Sequence, residues 1–369
     1  MKLIVTIFII FSFSQLVFGQ DTILDYRNYH KRINVAEELI FMQNDSIAGL
    51  LLLDSVFQKY DFVFVDDCIE AFQLAILYKR DDLALKFIKK AIDNGFLLEN
   101  MIELNCGCPH NFYKDISRVT IIDDFINKNK IQLEQYQKKV FAEYIKRINK
   151  PLLQIIINRH ITEQIYKNYI YELGISEKEN HETYLQVSDD NIAYIVSQFK
   201  NKQYIGEKNI GIINKTLLKE LGIKYLNDKG ILDEEILKKF KIPKDHKVPV
   251  IGTGNNDYFG ASPLYIMLYH NKNSFEMLAK YKDEAIREGY LHPREYASLK
   301  LKGGSGRENR VNNVNMKLAT YFKEISNSKE INCMREENLL PKYEVDLRKH
   351  EIAHKYCLKL FFGFFNGTR

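Results

Sequence analysis

Tryptophan is missing altogether, and cysteine is scarce, with five in 369 residues. Cys68, Cys106, Cys108, Cys333 and Cys357 are too few for a fold built on disulfides. Their odd number leaves at least one thiol free or shared between chains. A strong excess of one charge is missing too. The net charge is +5 and is spread along the chain, which gives no reason to expect a nucleic acid partner. Beyond the N-terminus, no stretch is apolar over the roughly 20 residues that a membrane helix needs. The glycines of "VPVIGTGNNDYFGASP" lack the dinucleotide-binding spacing and have no phosphate-loop lysine, so the stretch reads as a turn.

The one long apolar run comes first. "MKLIVTIFIIFSFSQLVFGQ" has a basic Lys2, an apolar centre and a small residue at Gly19. That is the pattern of a signal peptide over residues 1–19, cut after Gly19. No cysteine sits at the cut, which argues against a bacterial lipid anchor. The chain is therefore expected to be exported, to the periplasm or beyond the cell. The remainder, from Gln20 onward, is long enough for two or three domains, and 46% hydrophobic residues allow a sizeable core.

The periodicity is helical throughout, and an all-α fold is expected. Over residues 20–100 it forms two hairpins, Ile23–Met42 with Ser46–Lys59 and Asp66–Tyr78 with Asp81–Asn94. Asp45 or Ser46 caps one helix, and Gly95 closes another. Ala48 and Ala84 lie 36 positions apart after similar acidic turns. A period of that size resembles tetratricopeptide-type repeats, although the consensus tryptophan and closing proline are missing. Residues 101–175 read as a connecting loop and long helices, broken at Pro151. Residues 176–369 read as a C-terminal helical domain of unknown function. Within it, a capped helix is expected over Asp189–Lys200. Short helices are expected near Leu217 and Ile236, then a helix opened by Ser262 and Pro263. His292-Pro293 opens another, with Tyr296 and Leu299 inward, and the last two fill Asn315–Ile325 and Tyr343–Phe362. The aromatic tail "LKLFFGFFNGTR" reads as a final core element.

"DDNIAYIV", "LYIMLYH", "AIREG" and "PREYASL" supply Asp190, Asn191, His270, Gly289, Pro293, Tyr296 and Ala297. In this order they resemble an uncharacterised bacterial domain family of exported proteins, over residues 140–320. The resemblance implies no established activity, but it marks His270, Asp190 and Tyr296 as candidate site residues. The chain departs from the family after "A-x-L", where the family's acid and its later Tyr-Gly-Thr element are replaced by "KLKGG" and "GRENRVNNV".

Only one stretch names a reaction. "HEIAH" places His350 and His354 one helical turn apart with Glu351 between them, the spelling of a zinc peptidase. Two histidines at this spacing can share a metal, and Glu351 would act as general base. Catalytic zinc needs a third protein ligand. The 15 residues after His354 hold no His, Asp or Glu, and Cys357 is the sole candidate there. Cys106, Cys108 and His110 form a second metal candidate, also short of four ligands. The leading expectation from sequence is thus a partner-binding helical module, for a protein or peptide, without a cofactor. A zinc hydrolase at HEIAH is the first alternative, and a ligand or enzymatic site around His270 is the second.

Overall fold

The structure, a computed structural model, describes residues 24–105, 118–168, 175–223, 234–242, 262–299, 328–356 and 358–363. The expected signal peptide, Cys106, Cys108, His110, Cys357 and the helix expected over Asn315–Ile325 lie outside these residues. Among the described residues every regular element is helical, and no helix is long and apolar enough to cross a membrane.

The first four helices are α1 (Tyr26–Phe41), α2 (Ser46–Lys59), α3 (Val65–Leu77) and α4 (Asp81–Asp93). They form the two expected hairpins. Asp25 and Asp45 cap α1 and α2 by accepting the backbone N–H groups of Arg27 and Ala48. A Cβ on Gly49 would stand 2.8 Å from the Ala36 carbonyl oxygen and 2.4 Å from Ile40 Cγ1. The absent side chain is what lets α2 close on α1. Gly95 has φ +98°, and a side chain there would strike the Tyr144 ring, so this C-cap needs glycine twice over.

A 3-10 segment at Leu98–Asn105 precedes α5 (Arg118–Arg147), α6 (Lys150–Asn168) and α7 (Glu177–Lys200). Pro151 sits in the first turn of α6, where its missing N–H costs nothing. One expected boundary moves. The helix expected to start at Asp189 starts at Glu177, capped by the Ser176 hydroxyl. Asp189 and Asp190 therefore lie inside a helix and cap nothing. Shorter helices come next: α8 (Glu207–Ile210), α9 (Lys215–Glu220), α10 (Glu234–Lys239), α11 (Ser262–His270), α12 (Ser274–Leu278), α13 (Lys282–Arg287) and α14 (Pro293–Leu299). The chain closes with α15 (Ser328–Glu337), which the periodicity did not reveal, and α16 (Tyr343–Tyr356).

The buried apolar residues form two main clusters that do not follow chain order. One joins α1–α4 and the first half of α5 to Val345, Ile352, Leu358, Leu360 and Phe362. The other joins the second half of α5 to α6, α7 and the helices up to α14. The sequence placed all of 176–369 in one C-terminal unit, yet its last helix and tail are buried with the N-terminal hairpins.

That docking runs through buried charge. Six ionic side chains meet between the clusters: Glu37 on α1, Glu70 on α3, Arg294 on α14, Arg335 on α15, and Asp346 and Lys349 on α16. Arg294 bridges Glu37 at 2.8 Å and Asp346 at 2.9 Å, and Arg335 also pairs with Asp346. Lys349, fully buried, bridges Glu37 at 2.8 Å and Glu70 at 2.6 Å. Three acids face three bases, and burial pushes the Glu70 carboxyl up to about 8 although Lys349 opposes it. Burial alone would raise the Asp346 pKa, but Arg294 and Arg335 hold it well below the usual carboxylate range. The network also grips the tail. Lys349 donates to the Phe361 carbonyl at 2.6 Å, and the Phe361 N–H donates to Glu70 at 2.7 Å. Gln73 pairs with both backbone groups of Lys359.

Gly49→Val should cost about 1–3 kcal/mol, because the added atoms meet the Ala36 backbone across the hairpin; urea unfolding measures it. Lys349→Met should cost about 3–5 kcal/mol, since it leaves the buried Glu70 without its cation and Glu37 with Arg294 alone. It should also free the tail, read as faster proteolysis near residues 358–363.

Candidate functional site

Glu163 and Lys167 stand four residues apart on α6, so they share one helix face. His270 is the last residue of α11, which packs across α6 and α7. These elements bring three chemical groups into line. His270 Nδ1 meets the Glu163 carboxylate, whose side chain is fully buried. His270 Nε2 meets Lys167 Nζ at 2.7 Å. The second Glu163 oxygen accepts from Asn191 Nδ2 on α7 at 2.9 Å, and Arg159 in turn reaches Asn191 Oδ1. Next to His270, Asn271 donates to Asp189 at 2.8 Å and pins the end of α11.

The hydrogen bonds assign the tautomer. With Nδ1–H donated to Glu163, Nε2 presents its lone pair to Lys167. Burial lowers the Lys167 pKa, partly opposed by Glu163. Beside this line lies an open cavity of about 720 Å³ between the end of α6 and the first turns of α7. Tyr166 and Tyr184 wall it, with Lys167, Lys178 and His181 as cationic or basic groups and Glu177 as the one acid among the described residues. Asn180 donates to the Tyr166 carbonyl at 2.6 Å and holds the two helices together there.

The other expected site residues fall elsewhere. The Asp190 carboxylate accepts from Gln186 on an exposed face, and its neighbours Asp189 and Asn191 make the contacts near His270. The Tyr296 hydroxyl donates to the Phe275 carbonyl at 3.1 Å, and its ring stacks on Phe275. Tyr296 is a core residue. Sequence reasoning missed Glu163 and Lys167; their i, i+4 spacing within "HITEQIYKN" was the available signal.

At HEIAH, the His350 and His354 rings stack with centroids 6.3 Å apart. Burial and His354 lower the His350 pKa. Glu351 is exposed and pairs with Arg348 at 2.6 Å, so it faces away from a would-be metal water. Among the described residues no third ligand atom joins these histidines.

One trio of ligand-type side chains does converge: His30, Asp67 and His292, all buried and with one donor atom each within 4.8 Å of the others. His30 Nε2 is buried without a hydrogen-bond partner. His292 caps α14, its Nδ1 accepting the Arg294 N–H at 3.1 Å. Its proton therefore lies on Nε2, which faces Asp67 Oδ1 at 3.4 Å. A metal taking Nε2 would have to remove that proton or break the cap. Only His30 and Asp67 then remain, fewer than the three protein ligands of a catalytic zinc. Asp67 also accepts from the Tyr29 hydroxyl at 2.7 Å. Burial would raise its pKa, but His292 and the Tyr29 hydrogen bond bring it down to about 2. Its neighbours move the other way. Burial and Asp67 push Asp66 up to about 8. Burial and Asp66 push Glu207 well above its ordinary value, although its carboxyl accepts the Val65 N–H at 2.9 Å.

A comparison with protein-family models found no match, and comparisons with curated proteins and with solved structures found no significant one. Function is therefore read from geometry.

Glu207 ties stability to pH with a definite sign. Its folded pKa is raised above the ordinary 4.5. The stability it supports is fully present below that value and is lost as pH rises toward the folded pKa. Glu207→Gln keeps an acceptor for Val65 and removes the buried charge. The variant should therefore be more stable than the parent at pH 8, with the gap narrowing at pH 5; melting curves at both pH values measure it.

Proposed function

We propose that the protein is an exported, all-α ligand-binding protein with an acid–base centre at His270. One observation carries the reading: the Glu163–His270–Lys167 line beside the cavity. A buried carboxylate bonded to one imidazole nitrogen orients the ring and raises the basicity of the other nitrogen. An oriented imidazole with an amine against it can move a proton to or from a bound molecule. Lys167, Lys178 and His181 favour a small ligand with a carboxylate or phosphate, and the two tyrosines supply apolar walls. Export is supported by the charged start and apolar run of residues 1–19.

A second reading, the partner-binding module expected from sequence, keeps one support. Val35, Met42, Ile47 and Leu51 on the first hairpin are each 45–56% exposed, which suits a protein or peptide partner. The zinc-hydrolase reading is the weakest, since His350 and His354 gain no third ligand among the described residues.

The test is a calorimetric screen of small carboxylates and phosphates, repeated with His270→Asn and Glu163→Gln. A compound that binds should lose about tenfold affinity or more in both variants, the worth of one charge-assisted hydrogen bond. Failure of every compound to bind, or unchanged binding in both variants, would sink the reading.

A further inference from the structure

We propose that Lys167 is a nucleophilic amine, activated by Glu163 through His270, that captures a small carbonyl acid as an imine in the adjoining cavity. This rests on the ligand site proposed above and adds a covalent step to it. A lysine becomes a nucleophile when its surroundings disfavour the ammonium and a base stands ready for its proton. The base stands beside the amine, and partial burial lowers the Lys167 pKa against the pull of Glu163 while the residue stays exposed to the cavity. Lys167 Nζ lies 2.7 Å from His270 Nε2. The opposite ring nitrogen is committed to Glu163, itself fixed by Asn191. Nε2 is thus the one ring atom able to accept a proton, and it points at the amine. The Lys167 side chain also lines the cavity, so a ligand there can reach it. Lys178 and His181 on the same cavity wall can take the ligand's carboxylate.

The step balances without an outside reagent. The Lys167 ammonium passes a proton to His270 Nε2. The amine lone pair attacks the carbonyl carbon and forms the C–N bond, while the C=O π pair moves to oxygen. The His270 imidazolium returns its proton to that oxygen and gives a carbinolamine. The carbinolamine then loses one proton from nitrogen and its hydroxyl group, together one water, and leaves C=N. Nothing is oxidised or reduced. Two other features carry less. The buried His30 lacks a third metal ligand, because His292 spends its lone pair on the α14 cap. Among the described residues, nothing lies against the exposed apolar face of the first hairpin to say what would cover it.

The probe is glyoxylate with cyanoborohydride, which reduces the imine to a stable carboxymethyl-lysine that peptide mass mapping locates. At pH 7, Lys167 should label several-fold faster than the median of the other lysines, because burial lowers its pKa and leaves more of it as free amine. The advantage should shrink to about twofold or less near pH 10.5, where an ordinary lysine is about half neutral. His270→Asn and Glu163→Gln should each remove most of it at pH 7, and Lys167→Arg should abolish the adduct at that position. Labelling of Lys167 at pH 7 within about twofold of the median overturns the proposal, as does an advantage that survives in both variants. Calorimetric binding of glyoxylate without cyanoborohydride separates the two claims. Binding with ordinary Lys167 reactivity removes the imine and leaves the ligand site; no binding removes both.

Discussion

The buried ion network is the constraint on which the arrangement depends. Charges taken out of water cost several kcal/mol each unless partners surround them. Glu37, Glu70, Arg294, Arg335, Asp346 and Lys349 come from α1, α3, α14, α15 and α16, and each is tolerable only when the others are in place. The network is therefore a condition of assembly more than a source of net stability. It forces the C-terminal helix against the first hairpins and draws the tail across α3. It also holds α14, every residue of which is buried, between the two apolar clusters.

A related economy governs the histidines. His292 takes part in the α14 cap and faces Asp67. His270 is bound on both nitrogens. In each case one backbone or side-chain hydrogen bond decides the tautomer, and the tautomer decides the chemistry. At His292 it removes the lone pair a metal would need. At His270 it aims a lone pair at a lysine.

Much of the fold was legible in the sequence. Asp45, Gly95, Pro151 and His292-Pro293 marked helix ends because capping and φ preferences act over a few residues. The error at α7 has the same origin. Asp189 and Asp190 have the chemistry of a cap, but the helix had already begun at Ser176, and tertiary contacts with α6 and α11 use Asp189 and Asn191 instead. The candidate site was only partly legible. His270 stood out, whereas Glu163 and Lys167 were hidden in an ordinary amphipathic helix. HEIAH stood out for a spacing that the helix reproduces, yet the structure turns Glu351 to solvent beside Arg348.

By itself, then, the sequence determined the helical class, the hairpins and most helix ends, since these arise from local periodicity and backbone preference. Only the tertiary structure decided which charges are buried, which histidine meets a carboxylate and an amine, and where the last helix docks. Those outcomes depend on pairs such as Glu37–Lys349 and Glu163–His270, far apart in the chain. Their energies exist only once water has been excluded between them.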